Sequence, residues 1–256
     1  MEETGKNQVA ERLFQVIERL AENGPMGIMD LSAELGFHKS TTHRLVTSLQ
    51  YMGYIRQDEE SLKYALSLKF LEIGSKILEQ TNMASLIHPS LKKLSEQTGE
   101  TVHLVRREGT EAVYIDKVES TVSSIRMVSR VGSRIPLYCS GVGKALLAEL
   151  PDPEIEDIWN SSEITSLTPY TVTSLSDLMD RIRGVREAGF AMDDEENEEG
   201  VRCIAVSIPD YHKEPVYALS ISAPVSRMTD ARIAELSTDV LTFKKDLEKT
   251  LGFSRS

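Results

Sequence analysis

The chain has 256 residues, enough for one large or two ordinary domains, and 40% of its residues are hydrophobic. Its net charge of -11 argues against a protein that binds nucleic acid over its whole surface, but leaves room for a local basic site. The longest apolar runs fall short of the roughly 20 residues of a membrane span, the charged N-terminus does not resemble a signal peptide, and the two cysteines are far apart. These features predict a protein of the reducing cytoplasm.

The first 66 residues predict three helices and a β-hairpin. Apolar residues recur at helical spacing in three segments, at residues 8–22, 28–35 and 39–52. Two short extended runs follow, at residues 54–56 and 62–66. This order predicts a winged helix-turn-helix, in which the second helix of the motif enters the major groove of DNA.

Residues 35–57 contain no carboxylate, although the chain as a whole is acidic. The third predicted helix has an apolar face that we expect to be buried, formed by Thr42 (through its methyl group), Leu45, Val46, Leu49 and Met52. The residues that we expect to contact DNA combine cations with short hydroxyls, and are His38, Lys39, Ser40, Thr41, Thr42, His43, Arg44, Thr47 and Arg56. The helix start should hold phosphates, and His43, Arg44 and Thr47 are candidates for base edges. The sequence leaves open whether His43 or Arg44 reads a base.

A further helical pattern at residues 67–80 predicts a linker helix, in which Gly74 and Ser75 would permit close packing against a second copy. The C-terminal part then alternates strands with helices. Predicted strands lie at residues 101–107, 112–118, 124–128, 134–137, 190–192, 201–208 and 215–223. Predicted helices lie at residues 84–98, 141–150, 155–159, 175–188 and 229–251. We therefore predict a DNA-binding domain at 1–66, a linker helix at 67–82 and a second domain at 83–256.

Three parts of the chain resemble the IclR-type bacterial transcriptional regulators. They are LGFHKSTTHRLVTSLQYMGYI at residues 35–55, GSRIPLYCSGVGKALLA at 132–148, and GFAMDDEE, GVRCIA and ALSISAP at 189–196, 200–205 and 218–224. The resemblance implies an α+β protein with an N-terminal winged helix-turn-helix and a GAF-like C-terminal domain built on an antiparallel sheet. It also implies a repressor or activator that binds a near-palindromic double-stranded DNA operator as a dimer or dimer of dimers. The implied effector is a small organic or sugar acid.

The resemblance also implies an effector site in the C-terminal domain, with Asp193 in the pocket and the neighbouring acids facing out or organising their loop. Its residues are Met127, Ser140, Gly141, Val142, Asp193, Val201, Cys203, Ser220 and Ser222. Ser140 fits a helix N-cap, and the amides of the next two residues would favour a carboxylate. Alternate strand residues share a face, so Ser220 and Ser222 can line one cavity, and buried serines need polar partners. Each part of this site also has a purely structural alternative. Ser140 and Gly141 would only begin a closely packed capped helix, Cys203 would be a small buried residue, and the acids at 193–196 would form a solvated loop.

Other functions find less support in the residues. The segment at 140–144 is no phosphate-binding P-loop, because Tyr138 stands where that motif needs glycine and Ala145 where it needs serine or threonine. No histidine cluster accompanies the acids at 193–196, and no nucleophile motif surrounds Cys203. We expect no catalysis, no metal and no cofactor. A metabolite-sensing module whose helix-turn-helix docks a partner protein, without binding an operator, remains the alternative.

Overall fold

The structure, a computed structural model, describes residues 8–80, 83–120, 129–210 and 212–251. The chain divides into two compact units, Met1–Asn82 and Met83–Ser256. Within the described ranges, none of the helices is long and apolar enough to span a membrane.

The N-terminal unit contains the predicted three helices and hairpin. Its elements are α1 (Gln8–Asn23), α2 (Ile28–Leu35), α3 (Lys39–Tyr51), β1 (Ile55–Gln57), β2 (Tyr64–Leu66) and α4 (Lys69–Gln80). Strands β1 and β2 pair antiparallel, with Ile55 opposite Leu66. Gly53 has a φ of 79°, a left-handed conformation that glycine adopts without the steric cost of a side chain, and so ends α3 and turns the chain into β1.

One apolar core holds the three helices and the hairpin together. Its buried members are Val16, Leu20, Leu31, Leu45, Val46, Leu49, Ile55 and Tyr64. The prediction that Met52 belongs to this face was wrong, because α3 ends at Tyr51 and the side chain of Met52 is 40% exposed. Since the core fixes α3 on its inner face, the opposite face of that helix is presented to solvent.

The C-terminal unit is built on one antiparallel sheet. Its described strands are β3 (Thr101–Glu108), β4 (Glu111–Val118), β5 (Arg134–Pro136), β6 (Ala191–Asp194), β7 (Val201–Ile208) and β8 (Tyr217–Pro224). Their spatial order is β5-β4-β3-β8-β7-β6, so β3 and β8, which are far apart in sequence, pair at the centre. The strand predicted at 124–128 lies outside the described residues.

Helices cover both faces of this sheet. They are α5 (Met83–Thr98), α6 (Gly141–Leu147), α7 (Asp152–Asn160), α8 (Leu175–Ala188) and α9 (Asp230–Thr250). One face packs against α5 and α9 through residues such as Ile204, Leu219 and Leu236. The other packs against α6, α7 and α8 through residues such as Val105, Ala205 and Ala218. Alternate residues of each strand thus serve two separate cores.

Some predicted boundaries in this unit were wrong, including the start of α7, which lies at Asp152 and not at residue 155. Helix α6 ends at Leu147 and not at residue 150, and the guanidinium of Arg186 donates to the carbonyl oxygens of Ala148 (2.9 Å) and Leu150 (2.7 Å) just beyond its end. The strand predicted at residues 190–192 continues further, because Asp193 and Asp194 belong to β6, where Asp193 pairs with Cys203 of β7.

Candidate functional site

Helix α3 presents a polar face without carboxylates. Its exposed residues include Lys39, Ser40, His43, Arg44 and Thr47, with His38 exposed just before the helix and Thr41 half-buried. Arg56 is exposed on β1, the first strand of the hairpin. Most of the residues expected to contact DNA are therefore accessible in one compact unit.

Thr42 does not belong to this surface, so its prediction as a DNA contact was wrong. Its side chain is fully buried, and its hydroxyl lies 3.4 Å from the carbonyl oxygen of His38. The reason is helical geometry, since position 42 shares the inner face of α3 with Leu45, Val46 and Leu49. The methyl group that made Thr42 part of the apolar pattern places the whole side chain in the core.

The start of α3 has the electrostatic character of an anion site. His38 is the N-cap in an extended conformation, and its carbonyl oxygen accepts hydrogen bonds from the amides of Thr41 (2.9 Å) and Thr42 (3.0 Å). The first amides of a helix have no intrahelical acceptor and carry a partial positive charge. Together with the exposed ammonium of Lys39, they suit a phosphate of the DNA backbone.

In the C-terminal unit, the sheet brings polar residues from four strands into one row. Asp193 pairs with Cys203, Cys203 with Ser222, and Ser222 with Thr101. Paired residues in antiparallel strands point to the same face, so these side chains lie on the side that carries α6. Ser220 lies in the next row of the same face, opposite Ala205 and His103. The sequence thus predicted correctly that Ser220 and Ser222 share a face, and the pairing adds Cys203 and Asp193.

The start of α6 lies directly over this row. A Cβ added to Gly141 would lie 3.4 Å from the amide nitrogen of Asp193 and 3.5 Å from Cβ of Ala205. Ser140 is the N-cap, as predicted: its hydroxyl accepts from the amide of Gly143 (3.1 Å) and donates to the carbonyl oxygen of Pro136 (2.5 Å). That hydroxyl is thus engaged within the fold, and the helix offers a ligand its first amides. Met127, the expected apolar wall, lies outside the described residues.

Asp193 and Glu196 are not part of a solvated loop. Asp193 is buried, and its Oδ1 accepts from the amides of Glu196 (2.8 Å) and Asn197 (3.3 Å), which shapes the loop after β6. Burial raises the pKa of this carboxyl to about 6. Glu196 points inward and forms an ion pair with Lys144 of α6. Among the acids at 193–196, Asp194 alone is exposed, and it pairs with Arg202 at 2.7 Å.

Cys203 combines partial exposure with a neutral thiol. Solvent reaches part of this residue, whereas its neighbours Ser220 and Ser222 on β8 are buried. Burial, with the nearby carboxylate of Asp193, raises the pKa of the thiol, so the nucleophilic thiolate is suppressed. Val201, two residues earlier on β7, is half-buried. Solvent therefore reaches the row near β7, and its protonated cysteine is unsuited to nucleophilic chemistry.

Sequence reasoning missed two members of this surface, His103 and Tyr114. His103 is buried on β3 beside Ser220 and Ser222, and the ring of Tyr114 meets it edge-on with centroids 5.1 Å apart. Burial, reinforced by the charge of Lys117, lowers the pKa of His103 to about 3, so the imidazole is neutral. The sequence did contain one signal for His103, because it stands at an inward position of an otherwise apolar strand. A buried imidazole needs polar partners, and these could have been sought on a neighbouring strand.

Comparison with known proteins gives matches over both units. The model of the family described as the IclR helix-turn-helix domain matches residues 9–59, and that of the bacterial transcriptional regulator IclR C-terminal domain matches residues 75–248. The acetate operon repressor of Salmonella typhimurium is 36% identical over 98% of this chain and 93% of its own length. The transcriptional repressor IclR of Escherichia coli is 35% identical, again over 98% of this chain and 93% of its own length.

Solved structures agree with these matches. The crystal structure of Thermotoga maritima IclR has a TM-score of 0.64 at 31% identity and covers 96% of this chain and 100% of its own. The crystal structure of the Agrobacterium tumefaciens repressor BlcR has a TM-score of 0.77 at 25% identity, and the match covers 98% of this chain and 99% of BlcR. The predicted combination of an N-terminal helix-turn-helix and a C-terminal α/β domain on an antiparallel sheet is confirmed. This chain belongs to the IclR family of bacterial transcriptional regulators, and it is a DNA-binding regulator and not an enzyme.

Proposed function

We propose that this protein is a repressor of a catabolic operon in the cytoplasm, and that a small organic or sugar acid bound in the C-terminal unit changes its affinity for the operator. The observation that carries the proposal is the row of polar side chains from Asp193 through Cys203 to Ser222, lying under the start of α6. The names of two relatives support the role as a repressor, since one is the acetate operon repressor and the other the transcriptional repressor IclR.

The DNA-reading part of the proposal rests on residues 1–66. Lys39, Ser40, Thr41 and the start of α3 would hold phosphates, and Arg56 would hold the backbone or enter the minor groove. His43, Arg44 and Thr47 lie on the outer face of α3, where base edges come within reach. The cations among these residues are few, so one copy would bind weakly, and a stable complex requires two copies on two half-sites.

Helix α4, within the linker of residues 67–82, would join the two functions. Leu68, just before α4, and Leu71, in its first turn, are 78% and 69% exposed in the single chain. Exposed leucines spaced along one helical face suit packing against a second copy, which makes a dimer or a dimer of dimers. An effector would then act by favouring one spacing of the two DNA-binding domains of the dimer. The size of its effect is set by how much more tightly it binds the protein in that spacing than in the other.

The effector would lie between α6 and the sheet of residues 83–256. The amides of Gly141 and Val142 would receive its carboxylate, and Asp193, Val201, Cys203, Ser220 and Ser222 would line the remaining space with Met127. A thermal-shift screen of organic and sugar acids tests this site, because a ligand that binds the folded state raises the melting temperature in a dose-dependent way. The hit should then change operator affinity in a footprinting assay.

The DNA half is tested by footprinting at increasing salt. Specific, salt-dependent protection of a near-palindromic site supports the proposal, and a protein that protects no sequence contradicts it. The alternative, a module that docks a partner protein through the same helix, predicts that neutralising Lys39, Arg44 and Arg56 together leaves regulation in cells intact. The proposal predicts that the triple variant loses regulation.

A further inference from the structure

The carbonyl groups at the end of α3 are hydrogen-bonded by side chains from the start of α4. The ammonium of Lys69 donates to the carbonyl oxygen of Met52 at 2.7 Å. The hydroxyl of Ser67 donates to the carbonyl oxygen of Gly53 at 2.5 Å and accepts from the amide of Lys69 at 3.2 Å. The final carbonyl groups of a helix lack intrahelical donors and carry a partial negative charge, so a cation there is stabilising. The start of α4 therefore completes the end of α3.

Tyr54 adds ring contacts to this junction, which we define as Ser67, Lys69 and Phe70 against residues 52–54. The ammonium of Lys69 lies 4.2 Å from the centroid of the Tyr54 ring, and the ring of Phe70 packs against the same ring with centroids 5.2 Å apart. The stem of Lys69 passes over Gly53, because a Cβ added to that glycine would lie 3.9 Å from Cδ of the lysine. Tyr54 is half-buried and packs against the N-terminal core. The junction thus fixes the first turn of α4 to the body that carries α3.

The same turn of the chain has a second, outward side that is apolar. Leu68 and Leu71 are exposed, whereas Lys69 and Phe70 are half-buried. The amide of Leu71 donates to the carbonyl oxygen of Leu68 at 3.0 Å, so both residues belong to this turn. Because successive helix residues are rotated by roughly 100°, the two leucines point away from the junction. A second copy packed on the leucines would therefore be connected to α3 across a single helical turn.

We propose that Lys69, together with Ser67 and Phe70, is a positioning residue that locks α3 to α4, so that the dimer discriminates between operators by the spacing of their half-sites. The inference rests on the proposed function, because it takes α4 to pair with a second copy while both copies of α3 bind DNA. Two rigidly joined copies of α3 lie at a fixed separation, and an operator with another spacing forces the junction to deform. Without the junction, each DNA-binding domain turns on its linker helix and accepts several spacings.

The test compares operators whose half-sites differ only in their separation. One, two or five base pairs are inserted between the half-sites of the operator identified by footprinting, and fluorescence anisotropy with the full-length protein gives each dissociation constant. Each inserted base pair moves a half-site by about 3.4 Å and turns it by about 35° around the duplex. We expect the unmodified protein to prefer the native spacing by at least about tenfold, since an insertion misplaces one half-site for a rigid dimer. Lys69→Met should reduce that preference about three- to fivefold, the change that one cation at a helix end supports.

A duplex that contains a single half-site distinguishes positioning from direct contact with DNA. Lys69→Met should leave the affinity for this duplex and its salt dependence unchanged, because a single domain needs no partner at a fixed distance. Ser67→Ala, a smaller change, should reduce the spacing preference in the same direction. Lys76→Met is the matched control, because it removes the same charge from the same helix at an exposed lysine that pairs with Glu72 at 2.6 Å. It should keep the full preference.

The contrary outcomes are distinct from one another. A spacing preference that stays at the unmodified level in both Ser67→Ala and a folded Lys69→Met overturns the inference. Weaker binding of Lys69→Met to the single half-site, with a shallower salt dependence, makes that lysine a phosphate contact and also overturns it. If the unmodified protein binds every spacing equally, the rigid connection is overturned while the proposed function stands. A protein that binds no operator overturns both.

Discussion

Lys144 and Glu196 form an ion pair in which both side chains are only 1% exposed, although they lie 52 positions apart in the sequence. Lys144 belongs to α6, and Glu196 to the loop after β6 that begins beside Asp193. The carbonyl oxygen of Glu196 also accepts from the hydroxyl of Thr171 at 2.6 Å. The pair therefore fixes the start of α6 relative to the loop that carries Asp193, which are the two sides of the candidate effector site.

We expect Lys144→Met to destabilise the protein by about 3–5 kcal/mol, because it removes the buried ammonium beside the carboxylate of Glu196 and leaves only the half-exposed guanidinium of Arg181, 3.8 Å away. Urea unfolding measures the change. Adding Glu196→Gln should recover part of the loss, since the uncompensated charge is then removed. Lys92→Met is the control: that lysine pairs with Glu96 at 3.9 Å with both side chains more than 60% exposed. Its loss should cost less than about 0.5 kcal/mol, and equal losses in the two lysine variants would contradict the prediction.

Gly143 is required by a close backbone approach. A Cβ at this position would lie 2.1 Å from the carbonyl oxygen and 2.3 Å from Cα of Leu137, distances that need the backbone to move. We expect Gly143→Ala to destabilise the protein by about 3 kcal/mol, at the upper end of overpacking costs. Chemical unfolding and the yield of folded protein measure it.

Gly184 of α8 is the matched control for that substitution. A Cβ there would meet nothing within 4 Å, so the space is open. Gly184→Ala should leave the fold intact and stabilise it by about 0.5–1 kcal/mol, because alanine loses less conformational entropy in a helix. A Gly143→Ala protein as stable as the Gly184→Ala protein would show that α6 can shift away from Leu137.

Asp193 should make the stability of the protein depend on pH. Its pKa is raised from 3.8 in the unfolded chain to about 6 in the fold, so the folded state holds its proton more tightly. Its contribution to the free energy of unfolding is greatest below about pH 4, declines as pH rises towards 6, and is constant above it. Asp193→Asn removes this titration while keeping an acceptor oxygen for the amide of Glu196.

The measurement is the difference in unfolding free energy between Asp193→Asn and the unmodified protein, without ligand, from pH 4 to 7. We expect the variant to gain about 1–3 kcal/mol relative to the unmodified protein over that range. His103 titrates in the opposite sense, because its pKa is lowered, but it is present in both proteins and cancels in the difference. A difference that stays flat with pH would mean that Asp193 is not buried as the structure has it.

Arg44 and Lys39 should differ in how they support DNA binding. Arg44→Ala should reduce affinity for the operator by about 1–3 kcal/mol and relax specificity if the guanidinium reads a base. Lys39→Ala should weaken operator and unrelated DNA alike, and reduce the salt slope by about one. Fluorescence anisotropy with operator DNA and with unrelated DNA, over a series of salt concentrations, distinguishes the effect of Arg44→Ala from that of Lys39→Ala. Lys245→Ala, an exposed lysine of α9, controls for the change in net charge and should have little effect.

The sequence by itself determined the order and identity of most elements. The three N-terminal helices and the hairpin follow from apolar periodicity and from glycines such as Gly53, which are local properties. Helices α5, α8 and α9 also lie within a residue or two of their predicted ends. The outer face of α3 could be predicted in the same way, since a helix with one apolar face presents the other to solvent.

Only the tertiary structure decided which residues meet. His103 lies beside Ser220 because β3 pairs with β8 across more than a hundred residues, and that register is not written in either strand alone. From the sequence, Glu196 fitted a solvated acidic loop, but in the fold it is buried against Lys144. Thr42 was predicted to contact DNA, but its side chain is buried in the core. Periodicity is set by neighbours along the chain, whereas burial and partners are set by long-range packing, which therefore decided how the candidate effector site is built.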